Sequence, residues 1–254
     1  MSEDYPPDSS PSGGEGEQAR HRGANSQDAR LFGPAQVPAL RQAVADLSWL
    51  LGRGYAVPSA LKPVGDRYRL HERQRLAVAR ASCPDARRDR RAATRLNTAA
   101  LRDQDVIVDG FNLLITVEAA LSGGVLLRCR DGCVRDMSSV HGSYRAVAET
   151  ERALTLIGDT LAGLGPRSVT WLLDSPISNS GRLAQRLREL AAARDWPCRV
   201  EVLFNPDRAL IASPAIAVTS DANVLDGVAR WANLGAHLVE HRLPPAWLID
   251  LTDS

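Results

Sequence analysis

Lysine is almost missing from this chain: Lys62 stands alone, and every other basic side chain apart from histidine is arginine. Long apolar runs are missing too. None approaches the roughly 18 residues a membrane span needs, and the N-terminus lacks the apolar core of a signal peptide, so the expected location is cytoplasmic, with no membrane partner. Aromatic residues make up 5% of the chain, few for a surface that works mainly by base stacking. The four cysteines (Cys83, Cys129, Cys133 and Cys198) are too few and too scattered for a disulfide scaffold. Cys129 and Cys133 lack a second ligand pair, so they read as small hairpin hydrophobes rather than a zinc site. There is no Walker A loop and no glycine-rich dinucleotide fingerprint after a strand. Ser180-Gly181 lacks the surroundings of a nucleophile elbow. A haloacid-dehalogenase-type phosphatase would need a second Asp where Phe111 stands.

What is present suits a globular protein: 254 residues, 44% hydrophobic and 24% charged. The net charge of +1 conceals an asymmetry. Residues 54–102 hold twelve basic residues against four acidic ones (Asp66, Glu72, Asp85 and Asp89), so the remainder is net acidic. Arginine favours bidentate phosphate contacts, and a basic segment joined to an acidic domain fits a nucleic-acid enzyme. The same asymmetry fits two halves that dock on each other.

Residues 1–34 are rich in Ser, Gly, Pro, Glu and Gln, and read as a disordered tail. Residues 35–102 form a small arginine-rich helical module, with helices expected over 37–52, 71–82 and 85–98. From 103 to 254 the pattern alternates. Apolar runs at 105–109, 168–174, 198–204, 214–220 and 236–240 read as strands, with helices near 144–163, 181–194 and 223–233. Such alternation implies an α/β fold, a Rossmannoid parallel sheet flanked by helices. Asp131-Gly132 marks a hairpin over 125–136.

Three expected strands finish in Asp: Asp109, Asp174 and Asp221. In an open parallel sheet ligands bind at the carboxyl ends of the strands. Each Asp alone reads equally as a helix N-cap. Clustered carboxylates repel one another without a cation, and hard oxygen ligands suit Mg²⁺ or Mn²⁺. A metal so held activates water and stabilises a phosphodiester under attack. Asn112, Asn223 and Asp226 lie close by in sequence. Ser178, Asn179, Ser180 and Arg182 open a helix whose backbone amides suit a phosphate, with an ordinary capped turn as the alternative. His141 fits either a phosphate-contacting or a structural role. Glu149 and Glu151 share the next helix, and helical phase does not decide which of them faces the acids.

"VIVDGFNLL" (residues 106–114), "WLLD" (171–174) and "VTSDANVLDGV" (218–228) together resemble the PIN-like nuclease superfamily, in particular its NYN branch. The resemblance implies a PIN-like domain over residues 103–254. It implies metal ligation by Asp109, Asp174 and Asp221 with Asn112 in support, and metal-dependent cleavage of nucleic acid, RNA more than DNA. Asn223 stands where the branch has a second acid, with Asp226 one turn further on as its replacement. That departure supports the alternative of a catalytically inactive nucleic-acid-binding or scaffold protein. A small-molecule phosphohydrolase is a third class. The whole chain, with "RGYAVPSALKPVGDRYRL" (residues 53–70) and "DSPISNSGR" (174–182), also resembles a family known only as domain of unknown function 434.

Overall fold

The computed structural model describes residues 21–138, 144–243 and 245–252. Its centre is the β-branched run of β2 (Asp105–Asp109), whose residues are buried from Val106 onward. β2 pairs in parallel with β5 (Ser168–Asp174) on one side and β7 (Ile216–Val218) on the other. β6 (Cys198–Leu203) lies outside β5, and β8 (Trp231–Ala232) lies outside β7. β1 (Arg95–Leu96) closes the other edge, giving a six-stranded parallel sheet in the order β1-β8-β7-β2-β5-β6. The chain leaves β2 towards β5 through α6 (Gly110–Leu121) and α7 (Thr150–Leu164), then reaches β6 through α8 (Ser180–Ala193). α9 (Pro206–Ala212) carries it back past β2 to β7. The order therefore reverses between β2 and β7, which makes their carboxyl ends a topological switch point.

Gly110 makes the tight β2–α6 junction possible. A Cβ there would lie 2.7 Å from the Leu172 carbonyl oxygen and 2.6 Å from Leu173 Cδ2, too close for any side chain. The hairpin expected around Asp131-Gly132 is present as β3 (Leu126–Arg128) and β4 (Val134–Asp136), with Gly132 at φ 78°. β9 (Leu248–Asp250) adds to β3 in parallel, making a second sheet of three strands.

Two expectations along the domain are corrected. Residues 236–240 lie in α11 (Leu234–His241), not in a strand. A five-residue apolar run does not separate a strand from a buried helix segment. Here Asn233 caps a helix by accepting from the Ala236 amide, while Leu234, Leu238 and Val239 are buried. The helix expected over 223–233 stops as α10 (Ala222–Gly227), and the next residues supply β8. Ile211 packs so closely on Gly227 that a Cβ would have no room.

The helical module consists of α2 (Val37–Gly52), α3 (Val57–Arg67), α4 (Glu72–Ala81) and α5 (Asp85–Thr94), preceded by the short α1 (Asp28–Leu31). The disordered tail does not extend to residue 34 as expected. Leu31 and Phe32 are buried in the module core, and the fully buried Asp28 accepts two hydrogen bonds from Arg73 at 2.5 and 2.8 Å. That core also takes in Leu127 of β3 and Ile249 of β9, so the module packs against the second sheet.

Several of the arginines that the sequence offered for phosphate binding are committed to ion pairs, while Arg67, Arg69, Arg90, Arg95 and Arg102 are exposed. Arg73 pairs with Asp28, Arg75 with Asp66, Arg80 with Asp136, Arg87 with Asp226, and Arg88 with Asp85 and Asp89. Arg91, only 2% exposed, pairs with Asp131 at 2.6 Å and Asp226 at 2.7 Å, and also bonds the Ala222 carbonyl. Arg135 holds the same Asp131 from the domain side. Desolvation by itself would raise the pKa of Asp131, but Arg135 and Arg91 more than offset it and hold the carboxyl below its usual range. Arg80, Arg87 and Arg91 therefore join the two halves along a seam.

Candidate acidic site at the sheet edge

Register fixes the arrangement of the acids. Asp109 ends β2 and faces Leu172 in the ladder; Asp174 ends β5 two residues beyond Leu172. Asp221 follows β7 on the opposite flank and starts α10. The three strand-end acids therefore lie on three adjacent strands at the switch point. A fourth acid, Asp207, joins them from the first turn of α9. Burial raises its pKa, and Asp221 and Asp174 raise it further. The sequence reading missed Asp207 because it sought acids that finish strands, whereas Asp207 lies beyond "FNP", as the second residue of the next helix.

Asp109 is the one of the four whose residue is buried. Burial pushes its carboxyl up to about 7; the Thr219 hydroxyl, donating at 2.8 Å, opposes this, and the charges of Asp221 and Asp207 add to it. Among the described residues none of the four acids has an ion-pair partner, in contrast to the acids of the seam. Asp174 Oδ1 is buried with no hydrogen-bond partner among the described residues. Such an orphaned oxygen carries a substantial desolvation cost.

The surrounding loops hold the acids in place. Asn112 Oδ1 accepts from both the amide and the hydroxyl of Ser220, at 2.8 and 2.9 Å, and so ties the loop after β7 to the start of α6. Thr219 Oγ1 accepts from the Asp221 amide while donating to Asp109. Asp221 Oδ1 caps α10 by accepting from Asn223 and Val224. Capping and clustering, the two readings open for this residue in the sequence, therefore coexist. Thr219 and Ser220 had no signal beyond their place next to Asp221.

Other expected residues are placed elsewhere. Asp226 faces Arg87 and Arg91 in the seam, so it does not stand in for the acid missing at the exposed Asn223. Asn179 takes φ 65° before α8, and its Nδ2 donates to the Tyr144 carbonyl. Ser180 is buried, while Ser178 and Arg182 are exposed. The expected phosphate cradle is thus reduced, with two of its four side chains turned to structural positions. Glu149 bonds His21 and Glu151 pairs with Arg186, so neither belongs to the acid group. His141 lies outside the described residues.

Beside Asp221 a cleft of about 440 Å³ opens between α4 and the switch point. Arg80, Asn112, Arg135, Ser220 and Asp221 line it. The donor set at the edge, oxygen atoms alone with one of them orphaned, suits a hard cation. Among the described residues, however, no three His, Cys, Asp or Glu side chains stand close enough to hold one metal ion as they are oriented. Also among the described residues, no helix is long and apolar enough to cross a membrane.

The comparisons with known proteins divide the chain where the structure does. The module matches a family described as a protein of unknown function (DUF434) over residues 39–93. The sheet domain matches a domain of unknown function (DUF5616) over residues 98–237. The resemblance to family 434, read in the sequence as extending over the whole chain, is thus confined to the module. An uncharacterized protein of Methanocaldococcus jannaschii is 30% identical over 189 residues, spanning 73% of this chain and 88% of the relative. No solved structure matches. With more than half of its residues inside the second profile and the first profile on its helical module, the chain belongs to the DUF5616 family and carries a DUF434 segment ahead of that domain.

Proposed function

We propose that the protein is a metal-dependent nuclease with a PIN-like domain, acting on RNA more than DNA, with its reaction centre at the acidic edge. The observation that carries this reading is the gathering of Asp109, Asp174, Asp221 and Asp207 at adjacent strand ends of one sheet edge, with no basic partner among the described residues and with Asp174 Oδ1 buried and unpartnered. Like charges held together at a switch point fit a cation site better than a stability device. Asp109, Asp174 and Asp221 are the residues that would hold Mg²⁺ or Mn²⁺. Mg²⁺ sites commonly use only one or two carboxylates, the rest of the shell being water and substrate phosphate, so this reading does not need three acids already converged. A bound ion would activate water and shield the charge that builds on the phosphodiester. Asn112 acts as a positioning residue, holding the Ser220 loop and with it Asp221.

The alternative, a catalytically inactive nucleic-acid-binding or scaffold protein, draws on Asn223 and on the diversion of Asp226 into the seam. One experiment separates the two. Wild type and Asp109→Asn are incubated with RNA and DNA oligonucleotides, with and without Mn²⁺. The nuclease reading expects Mn²⁺-dependent cleavage by wild type, reduced at least a hundredfold in Asp109→Asn, with far-UV circular dichroism unchanged. No cleavage by wild type with any divalent metal, or full cleavage by the variant, would overturn it.

A further inference from the structure

Phe204 is the most exposed large hydrophobic residue described, at 82% of its full accessible surface. A lone exposed apolar residue is ordinary, but this one has a particular position. Leu203 is the ladder partner of Asp174, and its carbonyl accepts from the Ser175 amide at 2.8 Å. Phe204 is the next residue, so it stands at the carboxyl end of β6 beside the acid that ends β5. The turn behind it is well defined: Asn205 takes φ 60°, its Oδ1 accepts from the Arg208 amide, and Pro206 opens α9 with Asp207 next. Phe204 thus follows the ladder partner of Asp174 and precedes Asp207 by three residues, at the sheet edge where the acids gather.

The sheet edge then has a direction. From β6 to β7, across roughly 14 Å at ordinary strand spacing, the features run from Phe204 through Asp174 and Asp109 to Asp221. The cleft described above opens beside Asp221, and the two arginines in its lining, Arg80 and Arg135, are held by Asp136 and Asp131. An aromatic face at one end with acids beside it matches a base and its neighbouring phosphate in one unpaired nucleic-acid strand laid across the edge. Bases in a duplex are stacked on each other and leave no free π face; an unpaired base does.

We infer that Phe204 is a stacking platform for an unpaired nucleobase flanking the phosphate held at the acids, which restricts the substrate to single-stranded nucleic acid. This inference rests on the nuclease reading for its choice of ligand, but its test does not need cleavage. Binding is measured with Ca²⁺ in place of Mn²⁺, using a fluorescent single-stranded RNA oligonucleotide and the corresponding duplex. Wild type, Phe204→Ala, Phe204→Leu and Phe204→Trp are compared. The expected result is about tenfold weaker single-strand binding for Phe204→Ala, the loss typical of one stacked base. Phe204→Leu should fail to restore it, Phe204→Trp should restore it, and duplex binding should not change across the series. Equal single-strand binding by wild type and Phe204→Ala, full rescue by Leu, or preference for duplex would overturn the inference. Absence of Mn²⁺-dependent cleavage would instead count against the nuclease reading and leave the binding comparison to be judged by itself. The side chain is so exposed that thermal unfolding should be the same for all four proteins.

Discussion

Two groups of carboxylates lie close together in this protein and are treated in opposite ways. In the seam, Asp131 and Asp226 are each held by two arginines, and Asp131 ends with a lowered pKa. At the sheet edge burial raises the pKa values of both Asp109 and Asp207, and neighbouring acids add to it, Asp221 and Asp207 for the first and Asp221 and Asp174 for the second. Burial disfavours the charged form in either place. What differs is whether the fold supplies a counter-charge. Where it does, the charges join the two halves. Where it does not, the carboxyls are held above their usual range.

The sharpest way to break this contrast is to remove the counter-charge from the seam. Arg91→Ala leaves Asp131 buried with Arg135 alone and frees one side of Asp226. Losing one partner of a buried pair costs about 3–5 kcal/mol. Urea unfolding should register a loss of that size. A loss below about 1 kcal/mol would mean that the seam contributes little to docking. Adding a counter-charge at the edge is the complementary experiment. Mn²⁺ at a hundredfold excess over its Kd should stabilise wild type by about 2.7 kcal/mol, the linkage value for one site. Asp109→Asn combined with Asp174→Asn should abolish that gain. Equal stabilisation of wild type and the double variant would place the ion elsewhere.

The two regions were not equally legible in the sequence. Asp109, Asp174 and Asp221 could be found because each follows a short apolar run whose period and β-branching mark a buried strand. The parallel sheet and the hairpin at Asp131-Gly132 followed from the same kind of local signal. The seam could not be read in this way. Arg91 meets Asp131 at a sequence separation of 40 and Asp226 at one of 135, and no local pattern encodes such pairings. The composition gave the charge imbalance, but only tertiary structure shows that Arg80, Arg87 and Arg91 direct part of it across the seam. Asp207 was hidden for a related reason: its membership depends on α9 returning the chain across the sheet edge. Residues 236–240 were misread because five apolar residues carry too little periodicity to distinguish α11 from a strand.

Asp226 gives the finest division between the regions, since the sequence assigned it to the reaction and the structure ties it to the seam. It is held on one side by Arg91, which is buried, and on the other by Arg87, whose side chain is 58% exposed. Asp226→Asn should cost about 1.5–3 kcal/mol, the usual value of a hydrogen bond to a charged group, because Arg91 then depends on Asp131 and the Ala222 carbonyl. Arg87→Ala removes only the solvent-exposed half of the arrangement and should cost less than about 1 kcal/mol. Neither substitution should change Mn²⁺-dependent cleavage beyond about twofold, in contrast with Asp109→Asn. Chemical denaturation of the two variants checks the first comparison, and initial cleavage rates check the second. If Asp226→Asn abolishes cleavage while its stability stays at the wild-type value, Asp226 belongs with the acids of the edge, and the boundary drawn between seam and site fails at this residue.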